Sequence, residues 1–405
     1  MSETTDNYEP ALEDLNRNVS LSQKLAAIHR ALNRQLPMVD RVSVAVYDPK
    51  TDLLKTFIHS SGGIDPLPRH QARLSEVHSL REVVESGRAR IVNDLPARYR
   101  GPGEHSRKLA VQGYGSSVTQ PMYFNGMLFG FVFFNSYRKH AFHSSQFPLL
   151  ELYGRLVSLT VTGELAVLHT MLAAIKVARD MTAFRDVETG AHLDRMARYA
   201  RLIAKALAPR FGFSDEYVEH VFLFAPLHDI GKIAIPDRIL LKEKGLTAAE
   251  FERMKEHTRK GREMIDSILS EFGLNTLPYV DVLRNITEFH HERLDATGYP
   301  NQLRGEEIPI EARIIAVADI FDALTSRRPY KHAWSNEEAF ALLRSLAGTK
   351  VDGDCVAALI SQQDKIEALQ AQFKDDETQP MPPAGLLEAD EGESGQRTGR
   401  GKRGP

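Results

Sequence analysis

From about residue 145 to residue 370 the apolar residues recur almost only at helical spacing, and this run divides the chain into two kinds of fold. Leu149, Leu150, Leu152, Leu156, Leu159, Leu165, Leu168, Leu172 and Ile175 form a stripe that predicts one long helix, or two stacked ones, over 145–183. From 190 to 370 nearly every segment reads as amphipathic helix, broken by loops at Gly212, Pro236, Gly298, Pro309 and Gly353. Before residue 145 the pattern alternates in type. Leu21, Leu25, Ile28 and Leu32 give 14–35 a helical period, and 75–87 reads as a helix closed by Gly87. Segments 41–48, 53–60, 89–94, 116–124 and 128–136 read as strands, the last two joined by the hairpin turn Asn125-Gly126. The order predicts an α+β N-terminal domain, an antiparallel sheet with helices, followed by an all-α helical bundle.

Composition narrows the setting. With 405 residues the chain can build two cored domains, and 54 acidic against 51 basic residues leave a formal net charge of -3. Nucleic acid and anionic membrane usually draw a basic excess, so neither is an expected partner, and phosphate recognition should be local to a site. The single Cys355 excludes an internal disulfide and a thiolate metal site. The polar, acidic N-terminus lacks the apolar core of a signal peptide. Met122 to Asn135, taken as the most apolar stretch, is too short to span a bilayer, so the expected location is the cytoplasm. After Phe373, residues 374–405 are rich in Pro, Gly and charge and are expected to be disordered.

Several segments set ionisable residues where packing alone would not place them. Glu188 and His192 lie four apart in Arg185-Asp-Val-Glu-Thr-Gly-Ala-His192, able to grip one ion if helical, although a surface pair would look the same. His228-Asp-Ile-Gly-Lys232 follows the apolar FLFAPL. Adjacent His228 and Asp229 diverge by roughly 100° on a helix, while Lys232 returns to the His228 face. Charges at the end of a buried face need compensation, and metal supplies it. His257 precedes Gly261 by one turn, His290 and His291 end an apolar helix, and Asp319 lies in the apolar ARIIAVAD. Gly298-Tyr299-Pro300 follows the paired histidines, with glycine free to take φ > 0 and proline fixing φ, so that Tyr299 is held in a set direction. Five histidines and three carboxylates exceed what one octahedral ion can use. Two divalent ions are the minimum and three are possible, with iron or manganese suited to mixed imidazole and carboxylate donors and zinc or nickel not excluded. Such a site is net positive and suits a phosphodiester.

Segments 185–192, 228–237, 257–261, 290–300 and 304–331 together resemble the HD-GYP family, a branch of the HD phosphohydrolases, over about 175–350. The resemblance rests on HDIGK, HHERLDATGYP and IPIEARIIAVADIFDALTSRRPYK. It implies an all-α fold over 175–372 that hydrolyses cyclic di-GMP to linear pGpG and on to GMP at a di- or tri-iron (or manganese) centre. It further implies that His192, His228, Asp229, His257, His290, His291 and Asp319 hold metal, with Glu188 for a third ion. Tyr299, Arg328 and Lys331 would hold the substrate phosphates, and Lys232 would face the scissile one, acting with Asp229 in catalysis. Two positions depart from the family pattern: Ala296 stands where glycine is usual, and Val351-Asp352-Gly353 replaces a common Phe-Asp-Pro. Alanine lacks glycine's φ freedom, so the loop before Tyr299 is expected to be slightly reset. A non-catalytic signalling module, or a hydrolase of another cyclic dinucleotide, are the alternatives.

The order of elements over 20–165 resembles a GAF domain, which implies either a sensor of an unknown small ligand or a dimerising module. His59, His70, His78, His105, His140 and His143 share no ligand spacing and are read as surface or structural residues. The 145–183 stripe would connect the domains and could pair with its mate in a homodimer.

Overall fold

The structure, a computed structural model, describes residues 12–61, 71–98, 113–182, 190–242, 245–275, 277–326 and 333–374. The chain forms two compact units, one made chiefly of residues up to Ala173 and the other chiefly of residues from Ala174 onward.

The first unit is built on a six-stranded antiparallel sheet. Its strands are β1 (Arg41–Asp48), β2 (Leu53–Ser61), β3 (Gln71–Arg73), β4 (Arg90–Val92), β5 (Ser116–Phe124) and β6 (Met127–Ser136), in the order β3-β2-β1-β6-β5-β4. Asn125 (φ 49) and Gly126 (φ 79) make the turn between β5 and β6, both left-handed as a two-residue hairpin of matching twist demands. Helix α1 (Leu21–Asn33) begins later than its apolar period suggests, because Ser20 and Gln23 form a capping box and the preceding Glu13–Asn16 is a separate 3-10 turn. Helix α2 (His78–Ser86) ends at Gly87 with φ 64, as its glycine predicts. The three-residue β3 carried no period to read, and β4 is shorter than the 89–94 expected of it. A four-residue helix, α3 (Leu95–Arg98), follows β4.

The long helix α4 (Phe147–Thr182) buries Leu150, Val157, Val161, Leu165 and Leu168 along one flank, while Leu152 and Leu159 stay 64% and 70% exposed. Gly154 lets it lie directly on β5, since a Cβ there would sit 1.6 Å from Gln120 Oε1, and Gln120 Nε2 donates to the Leu150 carbonyl at 3.0 Å. The apolar stretch Met122–Asn135 belongs to the β5–β6 hairpin. Among the described residues the helix long and apolar enough to cross a membrane is instead Ser144–Ala173. An apolar helix packed on a sheet meets the same criterion as a spanning helix, and here one flank is occupied by the sheet.

The second unit is helical among its described residues. Its helices are α5 (Gly190–Phe211), α6 (Asp215–Phe224), α7 (Asp237–Leu240), α8 (Ala248–Glu271), α9 (Val280–Phe289), α10 (Ile310–Thr325), α11 (Asn336–Leu346), α12 (Gly353–Ile360) and α13 (Gln363–Gln372). Helix α10 is the centre of the core: Ile314, Ile315, Val317, Ala318 and Phe321 are wholly buried, each large side chain contributing roughly 1.5–3 kcal/mol. Phe321 meets Tyr199 of α5 edge-on and stacks on Phe340 of α11, both with centroids 5.2 Å apart. Asp352 caps α12 by accepting from the amides of Asp354 and Cys355, and it also pairs with Arg313 at 2.6 Å. Gly353 therefore stands at the first helical position, where a proline would be pre-organised, and the cap is kept without it.

Gly130 in β6 offers a test of the sheet. An added Cβ would lie 2.1 Å from the Ala45 carbonyl oxygen of β1, a backbone atom that cannot move aside. Gly130→Ala is expected to destabilise the first unit by about 1–3 kcal/mol, read as a lowered unfolding midpoint in denaturant.

Candidate metal centre

Three segments converge on Asp229. His228 ends a 3-10 turn (Ala225–Leu227) and Lys232 lies in a second (Ile230–Ala234), with Asp229 between them at φ -102, ψ 15. The spacing predicts one helix for these residues, with Lys232 returning to the His228 face. The break at Asp229 changes that: Lys232 turns to Asp229, its Nζ 2.8 Å from Oδ2. The second segment is α8, which carries His257. It crosses the 3-10 turn closely because Gly231 and Gly261 face each other, and a Cβ on Gly231 would lie 1.8 Å from the His257 carbonyl oxygen and 2.4 Å from Gly261 N. Gly261 looked incidental in sequence; it is half of this crossing. The third segment is the C-terminal end of α9, where His290 caps the helix and His291 follows.

Three of the histidines are oriented by backbone. The Nδ1 atoms of His228, His257 and His290 lie 2.9, 2.8 and 2.9 Å from the carbonyls of Ala225, Met254 and Ile286. A carbonyl only accepts, so Nδ1 carries the proton, and in a neutral ring Nε2 presents a lone pair. Those Nε2 atoms lie 3.1, 3.0 and 3.5 Å from Asp229 carboxylate oxygens. Asp229 Oδ1 and the Nε2 atoms of His257, His290 and His291 are buried without a hydrogen-bond partner. Acceptors facing acceptors in a buried site need a cation or proton between them. Burial, then the neighbouring histidines, holds His291 well below the ordinary imidazole range, and burial lowers His290. Burial pushes the Asp229 carboxyl up, but Lys232 and then His228 outweigh it and hold it well below the carboxylate range. Neutral imidazoles around an ionised carboxylate are a divalent metal's donor set.

Among the described residues two groups could hold a metal ion: Asp229, His257, His290 and His291, and beside them His192, His228 and Asp319. His192 comes from the first turn of α5 and Asp319 from α10, with His192 Nε2 3.8 Å from Asp319 Oδ1. His228 belongs to the second group yet touches Asp229 of the first, so the two places adjoin. Glu188, Arg328 and Lys331 lie outside the described residues.

Tyr299 is packed against the His291 ring, centroids 4.8 Å apart, with its amide donating to the His291 carbonyl at 3.2 Å. Burial, then Asp229, pushes its hydroxyl above the ordinary phenol range, so it remains a hydrogen donor at neutral pH. Gly298 does not use a left-handed φ, as its motif suggested; a Cβ there would lie 2.4 Å from Arg293 N and 2.5 Å from Glu292 Cα, so its role is close backbone approach. Glu292, which the sequence reading passed over, fixes the loop beyond Tyr299 by accepting from the amides of Asn301 at 2.6 Å and Leu303 at 3.0 Å. An acid directly after paired histidines was the available signal. Asp322, which meets His192 Nδ1, and Arg195, which grips Asp322, are further residues that the motifs did not single out.

Ala296 adopts the backbone that glycine would favour. It holds φ 63, the left-handed conformation a glycine would take, with Asp295 Oδ1 accepting from Thr297 N at 3.0 Å beside it. The alanine carries the strain of that conformation, roughly 1–2 kcal/mol. Ala296→Gly is expected to release it, offset by about 0.4–1 kcal/mol of added freedom in the unfolded chain. Unfolding should occur at an equal or slightly higher midpoint with bound metal unchanged. Gly231→Ala has the opposite expectation: α8 is forced off the 3-10 turn, and metal retained after gel filtration should fall.

Residues 177–355 match the HD domain family and residues 19–162 the GAF domain family. Over 190 residues the chain is 45% identical to the cyclic di-GMP phosphodiesterase response regulator RpfG of Xanthomonas campestris pv. campestris, covering 47% of each chain. A cyclic di-GMP phosphodiesterase of Vibrio cholerae is 42% identical over 195 residues, 47% of this chain and 39% of that protein. The 3'3'-cGAMP-specific phosphodiesterase 2 of the same organism is 36% identical over 191 residues, 47% of this chain and 34% of that protein. The chain thus spans less than half the length of each of these relatives. It is a protein that joins a GAF domain to an HD domain.

Proposed function

We propose that the chain is a metal-dependent phosphodiesterase that hydrolyses cyclic di-GMP to pGpG, GMP or both. The observation that carries this is the ring of unprotonated Nε2 atoms turned on the Asp229 carboxylate, with an ammonium beside it and a half-buried tyrosine at its edge. The activities for which these relatives are named supply the substrate class. Divalent ions held there would supply Lewis-acid charge and an activated water for phosphodiester hydrolysis. Iron or manganese suits the imidazole and carboxylate donors, and Glu188 would serve a third ion.

The chain's own residues have separable tasks. Asp229 stays ionised and faces both ion places. Lys232, held on Asp229 Oδ2, offers an ammonium to the scissile phosphate or a proton to the leaving 3′-oxygen. Tyr299 donates to a phosphate oxygen, and Arg328 and Lys331 hold the second phosphate. In this reading 20–165 is a sensory domain for an unknown ligand, 145–183 connects it to the catalytic residues 175–372, and the protein works as a cytoplasmic homodimer. The match to a relative named for 3'3'-cGAMP gives a second reading, the same chemistry on a mixed cyclic dinucleotide.

Metal-loaded protein incubated with cyclic di-GMP should release pGpG, followed by chromatography, and should turn over 3'3'-cGAMP more slowly. Asp229→Ala is expected to lose both bound metal and turnover. Activity persisting in that variant would sink the scheme, and faster turnover of 3'3'-cGAMP would shift it to the second reading.

A further inference from the structure

His192 is oriented differently from the three backbone-held histidines. It lies in the first turn of α5, and its Nδ1 instead meets the carboxylate of Asp322 at 2.7 Å. Asp322 is wholly buried on α10, three residues beyond Asp319, so the two acids share one flank of that helix. Arg195, one turn along α5 from His192, grips Asp322 with two bonds, Nε to Oδ1 at 2.7 Å and Nη2 to Oδ2 at 3.0 Å. Ser326 Oγ donates to Oδ2 at 2.9 Å, and Arg195 is itself anchored through the Phe373 carbonyl at 2.8 Å. The bidentate arginine offsets the charge of the acid and fixes both its oxygens. The oxygen facing His192 can therefore only accept, Nδ1 must carry a proton, and in a neutral ring the Nε2 lone pair points toward Asp319.

We propose that Asp322, braced by Arg195, is the positioning residue that aims His192 at a metal ion, so that the second ion place, His192, His228 and Asp319, depends on a carboxylate that touches no ion itself. This inference rests on the metal-centre reading above. A carboxylate behind a metal-bound imidazole fixes its tautomer and strengthens it as a donor, and removing such a partner typically weakens metal binding about 10–100-fold. His228, His257 and His290 take their orientation from backbone carbonyls close in sequence, whereas His192 takes it from α10 and α5 packing correctly on each other.

The test is a thermodynamic cycle on the full-length chain, stripped with chelator and titrated with manganese(II) in a calorimeter. The variants are Asp322→Ala, Asp322→Asn, His192→Ala and His192→Ala with each Asp322 change. Asp322→Ala should weaken one class of site about 10–100-fold and leave the other in place. Asp322→Asn keeps an oxygen able to accept from Nδ1 and should lose less. In the His192→Ala background neither change at Asp322 should weaken binding further, a result that general loosening of the fold would not give. Should Asp322→Ala fail to fold, judged by circular dichroism without metal, the Asn pair completes the cycle. Wild-type affinity in both Asp322 variants, or a loss in the double variants equal to the sum of the single ones, would overturn the proposal. A wild-type chain that binds no manganese or iron would overturn the metal-centre reading beneath it.

Discussion

The helical unit is organised around an electrostatic conflict at Asp229. Imidazole lone pairs and carboxylate oxygens, all acceptors, are pressed to within 3.0–3.5 Å of one another in a buried site. A protein could relieve this by protonating a histidine, but burial opposes charge on His290 and His291, and the Nδ1 protons are already committed to backbone. Divalent ions relieve it without protonation, converting the repelling lone pairs into ligands. Much of the surrounding architecture then reads as the means of holding that conflict in place until ions arrive.

Backbone proximity is the chief means. The donors come from α5, a 3-10 pair, α8, the end of α9 and α10, and bringing five segments to one point leaves little room for side chains between them. Glycine solves this at Gly231 and Gly261, where α8 crosses the 3-10 turn, and at Gly298, where the loop to Tyr299 doubles back on Glu292. Removing a Cβ at each crossing lets main chains touch where every other residue type would hold them apart. The same device seats α4 on the sheet of the other unit at Gly154, so close approach rather than unusual φ is the common use of these glycines.

The candidate donors that the structure brings together stood out in the sequence because histidine and aspartate inside apolar helices are costly to bury unless they are paired or bind an ion. Helix and strand positions followed from periodicity, with short exceptions at β3 and α3, three or four residues being too few to show a period. What stayed hidden was geometry that composition does not encode. The break at Asp229 is a pair of 3-10 turns, and α against 3-10 differ by a fraction of a residue per turn, too little to leave a pattern over five residues. Ala296 was legible as a departure, yet its consequence was not: surrounding bonds impose φ 63 more strongly than the alanine resists it. Asp322 was invisible for a different reason, since an acid in a helix looks solvent-facing until its arginine partner, 127 residues away in sequence, is seen across the core.

Charge links this centre to the class of molecule it would take. Asp322 and Arg195 offset each other, which leaves Asp229 and Asp319 against Lys232 as the net charge of the described centre. That is one negative charge before ions and three positive charges once two divalent ions are added, or two if Glu188 joins them. A cyclic dinucleotide carries two phosphodiester charges and offsets more of that positive charge than a mononucleotide diester, which brings one. Buried sites are strongly penalised for net charge, so binding two phosphates at once stabilises the loaded centre more than binding one. The same balance gives the Asp322–Arg195 pair its electrostatic value. An arginine-neutralised acid orients His192 without adding a further negative charge that would draw the ions away from the phosphate.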